Sequence, residues 1–194
     1  MTLQLWNEMT DLSLQQDTMS LNLVLTACRD QPSIAAQLMM EASSLQVIMD
    51  AVTYSASIAA TEEWTQALHL LKDMLLKRLD MTAPSHNAAM STCEKAGEWQ
   101  WALALLKEMA LGSFYDVISF NSAISACQKA SEWLMALDLL ETMQAEAQIS
   151  PDVVTIGAAI AACEKAGLWE WALALLERAD PDVIAYSAVI STFD

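Results

Sequence analysis

The chain has 194 residues, 55% of them apolar, and its 25 acidic against 9 basic side chains give a formal net charge of −16. With only 4 Gly and 4 Pro it does not read as a disordered chain, and dense helices are expected. Taken alone, the acidity disfavours nucleic acid and anionic membranes as partners.

The first segment, MTLQLWNEMTDLSLQQD, carries acidic charges and no basic residue before Arg29, so it reads as neither a signal nor a transit peptide. No membrane partner is expected, because no run approaches the roughly 20 apolar residues of a spanning helix. The VTIGAAIAAC run from Val153 stops at Glu164. Cys28, Cys93, Cys127 and Cys163 form no C-x-x-C pair, which leaves a zinc site little support. Their spacings of 65, 34 and 36 residues read instead as a structural period.

That period runs through the chain. Ser91–Met109 and Ala161–Ala179 are identical at twelve of nineteen positions, and Trp64, Trp99, Trp133 and Trp169 follow one another at 35, 34 and 36 residues. Residues 1–17 are expected to be the second helix of a truncated repeat, since Leu3–Met9 matches Leu103–Met109. Residues 18–50 form a divergent repeat, recognised by SLNLVLTAC but without Trp in its second helix. Residues 51–82 form a shortened one, with 10 residues from Tyr54 to Trp64 where His86 to Trp99 takes 13. Repeats at 83–116, 117–152 and 153–182 follow, and 183–194 is the first helix of another. A chain starting and stopping inside units is expected to be a fragment of a longer array, with uncapped ends that could self-associate or a decayed remnant with no function of its own.

Each repeat reads as two helices. Ser20, Thr53, Ser85, Ser119 and Thr155 recur where an N-cap is expected. An apolar stripe follows, as in Phe120, Ala123, Ile124 and Cys127. KAG at Lys95–Gly97 and Lys165–Gly167 supplies a helix end, with Gly suited to the left-handed position. The second helix carries Trp99, Ala102, Leu103, Leu106 and Met109 at helical spacing. The expected fold is all-α: a right-handed α-solenoid of stacked helix-turn-helix repeats of about 35 residues. The tryptophans, cysteines and His86 are expected to pack within it.

The W-x₂-L-G-x₂-Y pattern of tetratricopeptide repeats is absent. DVISFNSAISACQKASEWLMALDLLETM from Asp116 and PDVVTIGAAIAACEKAGLWEWALALLE from Pro151 resemble pentatricopeptide repeats. The resemblance covers nearly the whole chain and is strongest from Pro84 onward. It implies sequence-specific binding of single-stranded RNA, one base per repeat, and the organellar setting usual in the family, mitochondrion or chloroplast.

In that family two side chains read each base. Here they correspond to Asn22 with Asp50, Ser55 with Thr82, Asn87 with Asp116, Asn121 with Asp152, and Gly157 with Asp182. An Asn amide carries both donor and acceptor and matches a base edge, and by the family's rule Asn with Asp favours uracil. The order implied is uracil, unspecified, uracil, uracil, weak, because Gly157 has no side chain to read with. The family sandwiches bases between apolar residues at the second position, here Met19, Val52, Pro84, Ile118, Val154 and Ile184. Lys95, Lys129 and Lys165 match its phosphate-contacting lysines, and Asp30 replaces the lysine in the divergent repeat.

The same residues have plain structural readings. Asp near a helix N-terminus is favoured by capping and the dipole, and Lys near a C-terminus likewise. His69 and His86 have no partner set, and the sequence carries no G-x-S-x-G, no P-loop and no deaminase signature. No enzyme activity, metal or cofactor is expected. The competing expectation is an acidic helical scaffold whose concave face binds a basic peptide or protein.

Overall fold

The computed structural model describes Trp6, residues 17–29 and residues 31–178. Apart from Trp6 and Asp17, the segments at 1–17 and 183–194 lie outside the described residues, as do Asp30, Asp182 and Ile184. Among the described residues there are ten α-helices and no strand. They are α1 (Thr18–Ala27), α2 (Pro32–Ser44), α3 (Ala51–Ala60), α4 (Trp64–Leu76), α5 (Ala83–Ala96), α6 (Trp99–Gly112), α7 (Val117–Lys129), α8 (Trp133–Ala145), α9 (Val153–Lys165) and α10 (Trp169–Arg178). None is long and apolar enough to cross a membrane.

The recurrent hydroxyls do not cap these helices. The cap is the aspartate three residues earlier: Asp17, Asp50, Asp116 and Asp152 in α1, α3, α7 and α9. Each carboxylate accepts the backbone N–H of the third helical residue, and that residue's hydroxyl accepts the aspartate's own N–H. Two orphan donors are satisfied reciprocally. A carboxylate also sits better than a hydroxyl against the positive end of the dipole, which is why Asp takes the cap. In α5 Thr82 stands at the aspartate's place, and its N–H donates to Ser85 Oγ at 3.2 Å.

The helix ends follow the repeated sentence closely. The Glu98 N–H reaches the Cys93 carbonyl at 2.9 Å and the Gly97 N–H reaches that of Glu94 at 3.1 Å. Leu168 and Gly167 repeat the pair on Cys163 and Glu164. These are the two bonds of a Schellman end, which needs one left-handed residue. Gly97 and Gly167 provide it at φ 73° and 70°, whereas α7 ends on Ser131 at φ 63°.

The described helices divide into two compact units, residues 1–92 and 93–194, with the division inside α5. In the first unit α1 packs on α2 and on α3, and α3 packs on α4. Leu21, Leu25, Cys28, Leu38 and Ala42 are buried there, as are Tyr54, Ile58 and Met74. In the second unit α7 packs on α6, α8 and α9, and α9 packs on α10. Facing first helices bury small side chains, Ala123, Ala126 and Cys127 on α7 and Ala159, Ala162 and Cys163 on α9. All four cysteines are buried, and among the described residues none forms a disulfide. Burial pushes the Cys127 thiol up to about 11, with help from the Glu132 carboxylate, so it behaves as a small core residue rather than a nucleophile.

The tryptophans sit less deeply than the sequence suggests. Trp64, Trp99 and Trp133 are half-buried, and Trp169 is 49% exposed. Each opens its second helix, so the ring lies where the turn meets solvent, while the residue three further on (Ala67, Ala102, Ala136 and Ala172) takes the buried place.

Candidate nucleic-acid interface

The side-by-side first helices in each unit set the geometry of the site. On α1 and α7 the fifth residue after the cap lies next to the cap of the following repeat. In the first unit Asn22 Nδ2 donates to Asp50 Oδ1 at 3.2 Å. The Thr53 hydroxyl, on the same cap, reaches Asn22 Oδ1 at 2.7 Å. In the second unit Asn121 Nδ2 donates to Asp152 Oδ1 at 3.1 Å and lies 3.2 Å from Oδ2, while the Thr155 hydroxyl reaches Asn121 Oδ1 at 2.5 Å. The same three side chains therefore meet in the same way in both units.

These two capping aspartates thus have two jobs at once. Asp50 and Asp152 each hold a helix terminus and the preceding repeat's amide. Burial pushes the Asp50 carboxyl up, but the Thr53 N–H and hydroxyl and the Asn22 amide outweigh it and leave it below its ordinary value. Asp152 is lowered against the same opposing burial by Thr155 and Asn121. Both carboxylates are charged at neutral pH. Thr53 and Thr155 were not legible as members of this group. Their signal was the hydroxyl three residues after each aspartate, which reads as a cap until the neighbouring repeat is in place.

The pair of Ser55 and Thr82 differs. The Ser55 hydroxyl turns back to the Ala51 carbonyl of its own helix at 2.7 Å, and Thr82 bonds with Ser85. Asn87 is half-buried in the first unit, and Asp116 caps α7 in the second. At Gly157 an added Cβ would meet no atom of the described residues within 4 Å, at the place where α7 carries Asn121.

The second-position residues stand out to solvent. Met19 is 73% exposed, Val52 58%, Ile118 60% and Val154 59%, and Pro84 is exposed as well. In the first unit an open cavity of about 650 Å³ is lined by Met19, Asn22, Asp50 and Val52, with Thr18, Leu23, Thr26 and Ala27. Apolar walls with a few convergent polar groups are the usual character of a small-molecule site.

Two of the three lysines are less free than the sequence implies. Lys129 Nζ pairs with Glu94 at 3.2 Å, and Lys165 Nζ donates to the Gln128 carbonyl at 3.1 Å. Each reaches back to the preceding first helix. Lys95 is exposed at the end of α5.

A family model described as the PPR repeat matches residues 84–111 and 118–146. No curated protein sequence matches the chain. Among solved structures, the pentatricopeptide repeat protein PPR10 in complex with an 18-nt psaJ RNA element is similar at a TM-score of 0.81 and 15% identity. That match covers 96% of this chain and 29% of PPR10, so the chain spans under a third of that protein's length. The PPR domain of Arabidopsis thaliana protein-only RNase P 1, in complex with tRNA, is similar at 0.74 and 12% identity over 91% of this chain and 98% of that one. Nuclear proteinaceous RNase P 2 from A. thaliana gives 0.75 and 14% over 91% and 42%. These likenesses show the all-α repeat fold.

Proposed function

We infer, from the premise that this chain carries pentatricopeptide repeats, that its first helices bind single-stranded RNA, with uracil preferred where an Asn and an Asp meet. One observation carries the reading: the cavity of about 650 Å³ in the first unit joins both expected classes of residue. Exposed Met19 and Val52 provide apolar surface for a flat base, and Asn22 and Asp50 line the same cavity. Solved RNA complexes of proteins with this fold support the reading: PPR10 with an 18-nt psaJ RNA element and the RNase P 1 domain with tRNA. By resemblance to its family the protein acts in a mitochondrion or chloroplast, on RNA processing or stability, as a binder and not a catalyst.

The net charge of −16 does not forbid this, because charges beyond about 8 Å are screened at physiological salt. It limits the affinity. Only three lysines match phosphate contacts, and two of them already have protein partners. Binding of micromolar strength or weaker is expected, with a salt slope of about −0.7 per contact. The test is direct titration of labelled U-rich and A-rich single strands at low salt. Preference for the U-rich strand supports the reading, and equal, undetectable binding to both sinks it.

The engaged lysines favour one second reading, an acidic scaffold for a basic peptide or protein. It predicts a basic partner whose recovery by pull-down resists RNase.

A further inference from the structure

We propose that Thr53 and Thr155 are positioning residues that lock the preceding repeat's asparagine in one amide orientation, making each reading group a triad of Asn, Asp and Thr rather than a pair. The geometry is the same in two units described independently. Thr155 Oγ1 lies 2.5 Å from Asn121 Oδ1, and Thr53 Oγ1 lies 2.7 Å from Asn22 Oδ1. The same hydroxyls lie 2.8 Å and 2.9 Å from their own aspartate's Oδ1. A hydroxyl has one proton to give. Two oxygens 2.5 Å apart with no proton between them would repel, so the proton belongs on the line to asparagine.

The aspartate is already supplied. Asp152 Oδ1 accepts the Thr155 N–H at 2.8 Å and the Asn121 amide at 3.1 Å. Turning the Asn121 amide over would face its oxygen to both carboxylate oxygens and its NH₂ to the threonine hydroxyl. The carboxylate contact would turn repulsive, and the hydroxyl would have to accept from the NH₂ and swing its own proton to Asp152 Oδ1, so the carboxylate sets the orientation and the Thr155 bond to Asn121 Oδ1 holds it there. Thr155 and Thr53 are fully buried, which keeps water from replacing the hydroxyl.

The lock has a consequence for recognition, which rests on the RNA reading above. An Asn amide offers two N–H groups and two oxygen lone pairs. With one of each committed to the cap, one donor and one acceptor remain in fixed places. Uracil and cytosine present opposite donor and acceptor patterns at their 3 and 4 positions, so one orientation favours one base and the turned amide the other. The aspartate sets the donor side, and the threonine keeps the acceptor side from wandering.

The experiment uses the whole chain with Thr155→Val and Thr155→Ser. Side-chain NMR of the Asn121 NH₂ group, without RNA, reads the lock itself. The wild-type pair is expected to be shifted from the values of solvent-exposed asparagine and protected from exchange. Thr155→Val should move it towards those values, and Thr155→Ser should restore it. In RNA titrations the uracil-over-cytosine ratio at that base should fall about three- to tenfold in Thr155→Val, the worth of one hydrogen bond, and recover in Thr155→Ser. Unmoved amide signals in a folded Thr155→Val overturn the proposal. If the signals move as expected but the wild type ignores RNA, the lock stands and the RNA reading fails. If Thr155→Val does not fold, Thr53→Val and the Asn22 amide carry the same measurement in the first unit.

Discussion

The repeat at α3–α4 and the repeat at α7–α8 begin alike and end differently. Both open with an aspartate capping box, on Asp50 and on Asp116. Both bury an aromatic ring at the fourth position and an isoleucine one turn on: Tyr54 and Ile58, Phe120 and Ile124. Beyond that they part. The fifth position is Ser55 in one and Asn121 in the other, and only Asn121 reaches the next cap. α3 stops after 10 residues on an extended Thr61, while α7 runs 13 residues to Lys129 and a Schellman end. Packing needs a cap and a stripe. The base reading proposed above needs in addition an amide against a carboxylate. A repeat can lose the second and keep the first.

The largest expected effect tests whether the shortened repeat is sound packing or a remnant. Ile58 and Ile124 are both fully buried. Ile58→Ala and Ile124→Ala should each cost about 2–5 kcal/mol of unfolding free energy, read by denaturant titration. A cost at Ile58 far below that at Ile124 would mean that the shortened repeat is loosely packed, and the comparison would break there.

Next in size are the caps. Asp152→Ala removes a helix cap and Asn121's partner together. It should cost about 0.5–2 kcal/mol and weaken uracil preference. Thr82→Ala should change stability little, because Thr82 meets Ser85 and His86 through its backbone, and should leave base preference untouched. The sign of the pH effect follows from the lowered carboxyls of Asp50 and Asp152. An unfolded Asp titrates near about 3.9, above the folded value. The stabilisation is therefore complete above that pH and is lost as the pH falls through the lowered folded values. Acid melts below about pH 4 should show a smaller dependence in Asp152→Ala than in the wild type.

How far the sequence led depends on whether one repeat or two are needed to see a feature. The stripe of Phe120, Ala123, Ile124 and Cys127 is a local period, and it is buried as expected. The Schellman glycines are local too, and Gly97 and Gly167 take positive φ. The hydroxyls were misread because Asp-x-x-Ser/Thr supports either residue as the cap. Only the backbone shows that Asp116 stands outside the helix and Ser119 inside it. The Thr155–Asn121 bond spans 34 residues, and no single repeat contains it. The Lys129–Glu94 pair was out of reach in the same way, because Glu94 is 35 residues away on the neighbouring helix.

A smaller effect sits at the end of α7. Ser131 occupies the left-handed place at φ 63° that Gly97 and Gly167 fill elsewhere. A side chain there crowds the following carbonyl. Ser131→Gly should stabilise by about 0.5–1 kcal/mol, because the relief slightly exceeds the entropy that glycine adds to the unfolded chain. Melting temperature reads it. A loss of stability would mean that the serine hydroxyl makes up for the strain.

The smallest expected effect is the most informative about RNA. The Lys129–Glu94 pair is partly exposed, and a pair of that kind contributes about 0–1 kcal/mol to folding. Glu94→Gln should leave the melting temperature nearly unchanged. It would release the Lys129 ammonium to a phosphate, so U-rich RNA should bind a few-fold more tightly at low salt, with the gain shrinking as salt rises. Lys129→Ala should do the reverse and reduce the salt slope by about 0.7. Lys165 gives a built-in contrast, because its partner is the Gln128 carbonyl, which side-chain substitution cannot remove. The shortened repeat gives another: the end of α3 is Ala59, Ala60 and Thr61, with no lysine to release. If Glu94→Gln leaves RNA affinity unchanged at every salt concentration, Lys129 does not meet phosphate, and what separates α7 from α3 at its C-terminal end is helix termination alone.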